Sequence, residues 1–171
     1  MTKGIWAAIV MVVLSAAVVA AAPSAARASC ATNEQVLLRL VNTARTHHGL
    51  AKLTLVKSLD KAAGAHSREM LQRGYFSHSS ASGISYSTRL QRAGYWRSGY
   101  GSWAVSEVIG WGKGIRGTPQ AVLRAWLASP AHRPIILGAR WRDVGVGCAR
   151  GTYAGLSGVL MYTVDVGRRT R

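Results

Sequence analysis

The apolar residues of this chain change their spacing partway along, and that change limits the fold more than any other feature. In the first half they recur every three to four positions: Leu37, Leu40, Val41 and Ala44, then Leu59, Ala62, Ala63, His66 and Met70, then Leu90 and Ala93. This is the spacing of helices packed by one face. Asn33 is placed to cap the first helix and Gly49 to end it, the second is expected over residues 58–73 with Gly74 as its stop, and a short third over 86–93. Residues 102–109 alternate instead, with Trp103, Val105, Glu107 and Ile109 on one face of a strand. A Gly-rich basic loop is expected over 111–117. Thr118 and Pro119 then open a fourth helix that turns Val122, Leu123, Trp126 and Leu127 inward and must stop before Pro130. Residues 141–149 and 158–166 alternate again, with a hairpin turn within 151–155. Helices first and paired strands last exclude a doubly wound parallel sheet and predict an α+β layered domain.

The N-terminus carries an address. Lys3 precedes an apolar run over residues 5–22, broken by Ser15 alone; Pro23 and the triplet Ala26-Arg27-Ala28 follow. This pattern reads as a cleavable export signal over residues 1–28, with a single domain over 29–171 and a secreted or extracytoplasmic location. The competing reading is a retained membrane anchor, since about 20 apolar residues span a bilayer. The residues before Cys30 lack the aliphatic position of a lipoprotein signal. Processing removes Lys3 and Arg27 from a formal charge of +16, leaving +14 on 143 residues and no transmembrane anchor. Hydrophobic residues at 49% exclude a disordered chain. Two cysteines exclude a Cys-rich zinc module or a disulfide-framework miniprotein. Outside the cytosol Cys30 and Cys148 are the available intrachain pair, worth about 4–5 kcal/mol in the chain-entropy model; free thiols or an intermolecular bridge are the alternatives.

Five histidines and six acids form a small pool for chemistry. His47 and His48 close the first helix, where a cation is favoured on the surface. His66 lies in an apolar stripe and reads as a core residue. His78 and His132 are different, because each sits at an abrupt end of regular structure, and His132 lies between Pro130 and Pro134, which fix the backbone around it. Glu107 shares a strand face with Val105 and Ile109, so its carboxylate must be paired or neutral. The aromatic stretch Tyr95, Trp96, Tyr100 and Trp103 is either a stacking platform or a satellite of the core.

These residues resemble the CAP superfamily, whose SCP domain is shared by cysteine-rich secretory, antigen and pathogenesis-related proteins, in its bacterial branch. Leu40-Val41-Asn42 with Arg45 and Gly49-Leu50 is similar to an opening LVNxxR…GL. Ala62-Ala63-Gly64-Ala65-His66 with Met70, Gly74-Tyr75-Phe76-Ser77-His78 and Arg89-Leu90 with Ala93-Gly94-Tyr95 match later segments. Trp126 with Ser129-Pro130-Ala131-His132-Arg133, Val144-Gly145-Val146-Gly147 and Tyr162-Thr163 with Asp165-Val166-Gly167 complete the order. The resemblance implies a three-layer α-β-α sandwich around a mainly antiparallel sheet. It also implies a cleft of two histidines and two acids, carried here by His78, His132 and Glu107. A second acid is missing from its expected place near Ala128 and Ser129. The three remaining side chains are then an open ligand set for a divalent cation such as zinc or magnesium, with no cofactor otherwise implied.

Three functional readings follow, two from this resemblance and a third from the basic charge. One is a secreted, non-enzymatic module that binds a lipid, a sterol or another protein through the His/Glu cleft, acting as a monomer. A second is a hydrolase in which Ser129 or Ser106 joins His132 and Glu107, or a metal activates water. A third is binding of an envelope polyanion or lipid headgroups through the basic surface. No nucleic-acid motif is present, and no specific nucleic-acid partner is expected.

Overall fold

A computed structural model describes residues 22–96 and 100–170, with side chains from Ser29 onward. In chain order it contains helix α1 (Ala22–His47), strand β1 (Thr54–Leu55), helices α2 (Lys57–Arg73) and α3 (Tyr86–Arg92), and strand β2 (Ser102–Lys113). A 3-10 turn (Gly114–Gly117), helices α4 (Pro119–Ala128) and α5 (Arg133–Ile136), and strands β3 (Asp143–Tyr153) and β4 (Leu156–Thr170) follow. The sheet order is β1-β3-β4-β2. β4 runs antiparallel to both β3 and β2, while β1 pairs in parallel with Asp143 and Val144. This is the expected α+β sandwich around a mainly antiparallel sheet.

Alternation along the strands sends side chains into two helical layers. Toward α1 and α4, Val108, Val144, Val146, Cys148, Tyr162, Val164 and Val166 pack with Leu37, Val41, Val122, Leu123 and Trp126 in the main core. The opposite face meets α2 through Leu59, Ala62, Ala63, Gly64, His66, Ser67 and Met70. Here β3 presents Gly145 and Gly147, and a Cβ on either would run into the backbone of Leu59 or Ala63. The helix rests on the strand backbone itself, an approach that glycine permits. Ser67 then reaches across to donate a 2.9 Å hydrogen bond to Thr163 Oγ1 on β4.

Several boundaries differ from expectation. α1 begins well before Asn33, because residues 24–31 are mostly Ala and Ser and Pro23 falls in the first turn, where its missing amide has no intrahelical partner to lose. Residues 1–21 of the expected export signal lie outside the described residues. Among the described residues no helix is long and apolar enough to cross a membrane. β2 continues to Lys113 instead of breaking into a loop after Ile109. Gly110 makes room there for Trp126, whose indole N–H donates to Ile109 O at 3.0 Å. α5 forms despite Pro130 and Pro134, since Pro134 occupies its first turn. The connector over residues 50–55 contributes a two-residue strand. Cys30 and Cys148 are joined in a disulfide that ties α1 to β3, with Cα atoms 5.3 Å apart and a sequence separation of 118.

Candidate functional site

β2 is an edge strand, so side chains from both helical layers can meet over it. From the α2 side comes the loop that carries His78. His66 is buried on α2, and its Nε2 donates to Ser77 O at 2.8 Å. Burial lowers its pKa, so the ring stays neutral and serves as a strut for the loop. Glu69, one turn on, accepts from Tyr75 Oη at 2.9 Å and from the Ala81 amide at 3.3 Å. Burial and the Glu69 bond push the Tyr75 phenol up to about 12. The predicted core role of His66 agrees with this position, and its task there is to seat the segment next to His78.

The loop delivers His78 to Glu107. The imidazole Nδ1 lies 2.8 Å from Glu107 Oε1, with the His78 side chain 49% exposed and that of Glu107 fully buried. Arg89, on the short helix α3 that Ser85 caps, bonds the other carboxylate oxygen through Nη2. Its Nη1 donates to His78 O at 2.6 Å. One guanidinium therefore holds both the carboxylate and the backbone of the histidine it faces, the fork geometry that suits arginine. Tyr86 sets its ring edge-on to His78, with centroids 6.4 Å apart.

Behind Glu107 stands a second acid. Asp165 is its cross-strand partner on β4 and is buried. Burial, the charge of Glu107 and a hydrogen bond to it raise the Asp165 pKa well above the ordinary carboxyl value. Sequence reasoning placed the family's second acid near Ala128 and Ser129, found none there, and missed both Asp165 and Arg89 as neighbours of Glu107. The available signal for Asp165 was an acid on an inward position of an alternating strand; Arg89, on a short polar helix, gave none.

His132 enters from the opposite layer. It precedes α5, a segment anchored by the buried Arg45 of α1, which donates to Ile136 O at 2.8 Å and Gly138 O at 3.1 Å. Its Nδ1 lies 2.8 Å from Ser129 Oγ at the end of α4. Burial, followed by the nearby charge of His78, lowers its pKa.

Of the expected divalent-cation ligands, Glu107 is engaged through both oxygens, by His78 and Arg89, whereas the bonds to His78 and His132 leave the other ring nitrogen of each outside them. A tight zinc site asks for at least three protein ligands. Among the described residues no group of three or more His, Cys, Asp or Glu side chains is placed to hold one. Of the expected ligand trio, His78 and Glu107 are hydrogen-bonded to each other, while His132 is bonded to Ser129. A Ser-His-acid relay is also divided, with Ser129 on His132 and the carboxylate on His78. Of the aromatic stretch, two members form a core satellite: Tyr95 is buried with Leu59 and Leu90, and Trp103 packs against them. Of the outlying histidines, His47 and His48 are exposed as expected.

With this geometry in place, comparison with known proteins is informative. The model of the cysteine-rich secretory protein family, CAP, matches residues 38–164. The chain is similar to the uncharacterized protein YkwD of Bacillus subtilis (strain 168), with 30% identity over 135 residues, covering 72% of this chain and 45% of that protein. It is similar as well to the uncharacterized membrane protein YlbC of the same strain, with 32% identity over 124 residues, covering 71% of this chain and 33% of that protein. The chain thus spans less than half the length of these two relatives. An extracellular protein containing an SCP domain from Bacillus anthracis str. Ames shares the fold at a TM-score of 0.67 and 26% identity, over 85% of this chain and 43% of that one. An outer surface protein from Borrelia burgdorferi has a TM-score of 0.67 at 16% identity, over 81% of this chain and 94% of that one, a likeness of fold alone. The chain belongs to the CAP family of cysteine-rich secretory proteins.

Proposed function

We propose that this chain is an exported CAP domain that captures a ligand or a partner protein at the β2 edge without transforming it. The observation that carries this reading is the way His78 is held. Its Nδ1 and its backbone carbonyl are fixed by Glu107 and Arg89, while half of its side chain stays exposed. A rigid imidazole with one face open is a recognition group. His132, whose pKa burial lowers, adds a second hydrogen-bonding ring in which the uncharged form is favoured. The pair suits an uncharged polar head, such as the hydroxyl of a sterol or the carbonyl of a lipid or peptide. Residues 1–28 act as the removable export signal, in keeping with the Bacillus anthracis relative, which is described as extracellular. N-terminal sequencing of the exported protein is expected to begin at Ser29.

One contact favours the hydrolase alternative, namely the 2.8 Å approach of Ser129 Oγ to His132. Against it, no carboxylate among the described residues is bonded to His132 to orient the ring for general-base work. The test is a panel of ester, peptide and phosphoester substrates, run with and without a chelator. The expected result is no turnover attributable to the protein in either arm. Turnover abolished by His78→Ala or Ser129→Ala would replace binding with hydrolysis.

A further inference from the structure

Three of the five large apolar side chains exposed among the described residues stand at one end of the sheet: Trp111 at 38%, Ile115 at 81% and Leu156 at 42%. The strand register brings them together. Val159 pairs with Lys113 on one side and with Gly151 on the other. The end of β2, the 3-10 turn that follows and the tight β3–β4 turn at Ala154 and Gly155 are therefore neighbours. Trp111 packs edge-on against Tyr153 with centroids 5.0 Å apart, giving the end a stiff aromatic base. Lys113, Arg116 and Arg150 lie on the same strand ends and turn, all exposed. None of the three forms an ion pair with an acid among the described residues. The nearby acid, Glu69, is engaged by Tyr75, Arg73 and the Ala81 amide.

We infer that this end of the sheet docks on the interface of an anionic lipid bilayer. Ile115 and Leu156 enter the acyl boundary, Trp111 and Tyr153 lie at headgroup level, and the three cations meet lipid phosphates. Scattered exposed apolar residues are ordinary on a soluble protein, but a group on adjoining turns marks a contact surface. The charge selects an anionic partner. The apolar tips select a lipid over a soluble polyanion, which would call on the cations alone. Trp111 stands four residues along β2 from Glu107, about 13 Å at strand rise, so a docked molecule presents its cleft close to the membrane surface.

The test is co-sedimentation of the full chain with vesicles of phosphatidylcholine alone and of phosphatidylcholine mixed equally with phosphatidylglycerol. Binding to the mixed vesicles is expected to be at least about tenfold tighter. Ile115→Asp combined with Leu156→Asp should weaken it by about tenfold, whereas Leu55→Asp, at an exposed apolar position on β1, should leave it unchanged. Replacing Lys113, Arg116 and Arg150 by Gln should cost about tenfold, and the same change at Arg39, Arg92 and Arg124 less than about threefold. Equal binding to both vesicle types would overturn the inference. So would an unaffected Ile115/Leu156 variant, which assigns binding to bulk charge or to residues 5–22, or equal losses in the two Gln variants.

Discussion

A fully buried carboxyl beside a second carboxyl must give up its charge or find a cation of its own. Asp165 follows the first course, because Arg89 is already bonded to Glu107. The unfolded chain releases this proton near the ordinary carboxyl value, while the folded chain retains it. As pH rises above that value, the unfolded state binds fewer protons and stability falls by about 1.4 kcal/mol per pH unit from this group, until the raised folded pKa is passed. Asp165→Asn keeps the shape and a hydrogen-bond donor toward Glu107. Urea unfolding across a pH series is expected to show the variant more stable than wild type at neutral pH, with the gap closing as pH drops toward 4; a variant less stable at neutral pH would contradict a protonated Asp165. At this scale the sequence made His78, His132 and Glu107 visible, each through a local oddity: a histidine after an aromatic pair, a histidine between prolines, an acid among apolar neighbours. Asp165 and Arg89 acquire their roles through the β2–β4 register and the placement of α3, neither of which is written locally.

Among the elements, α2 on β3 is the contact that sets the site's geometry, because the same helix carries His66 and Glu69, which seat the His78 loop. Its closeness depends on Gly147, whose missing side chain leaves room for the backbone at Ala63 and Gly64. Gly147→Ala forces the helix away from a packed sheet, a change of the overpacking kind that costs about 1–3 kcal/mol or more. A lowered denaturant midpoint is expected, together with weaker protection of the His78 loop in hydrogen exchange; an unchanged midpoint would show that the layers have slack. The helices were legible from spacing and their stops from Gly49, Gly74 and Pro130. β1 was not, since two residues cannot show a period and take their state from β3. The extension of β2 was hidden for the opposite reason: Gly110 and Gly112 read as loop residues until Trp126 and the 3-10 turn are seen packed against them.

For the molecule as a whole, the disulfide and the edge strand matter most. Cys30–Cys148 joins the N-terminal helix to a central strand and restricts the unfolded chain over nearly the full domain. Reduction is expected to remove up to about 4–5 kcal/mol, read as a drop in the unfolding midpoint under reducing conditions. A midpoint unaffected by reduction would mean that the bridge does not constrain the unfolded ensemble. The fold class followed from the order of helices and strands. The convergence of His78 and His132 that we propose did not, because it depends on β2 lying at the sheet edge, between the layer that carries His78 and the layer that carries His132. That convergence is tested most directly by titrating the His132 ring by NMR in the wild type and in His78→Ala. His132 should titrate below the ordinary histidine range in the wild type, and removing the His78 charge should shift it part of the way up, burial accounting for the remainder. A His132 titration that is the same in both proteins would place the two imidazoles in separate environments and contradict a shared cleft.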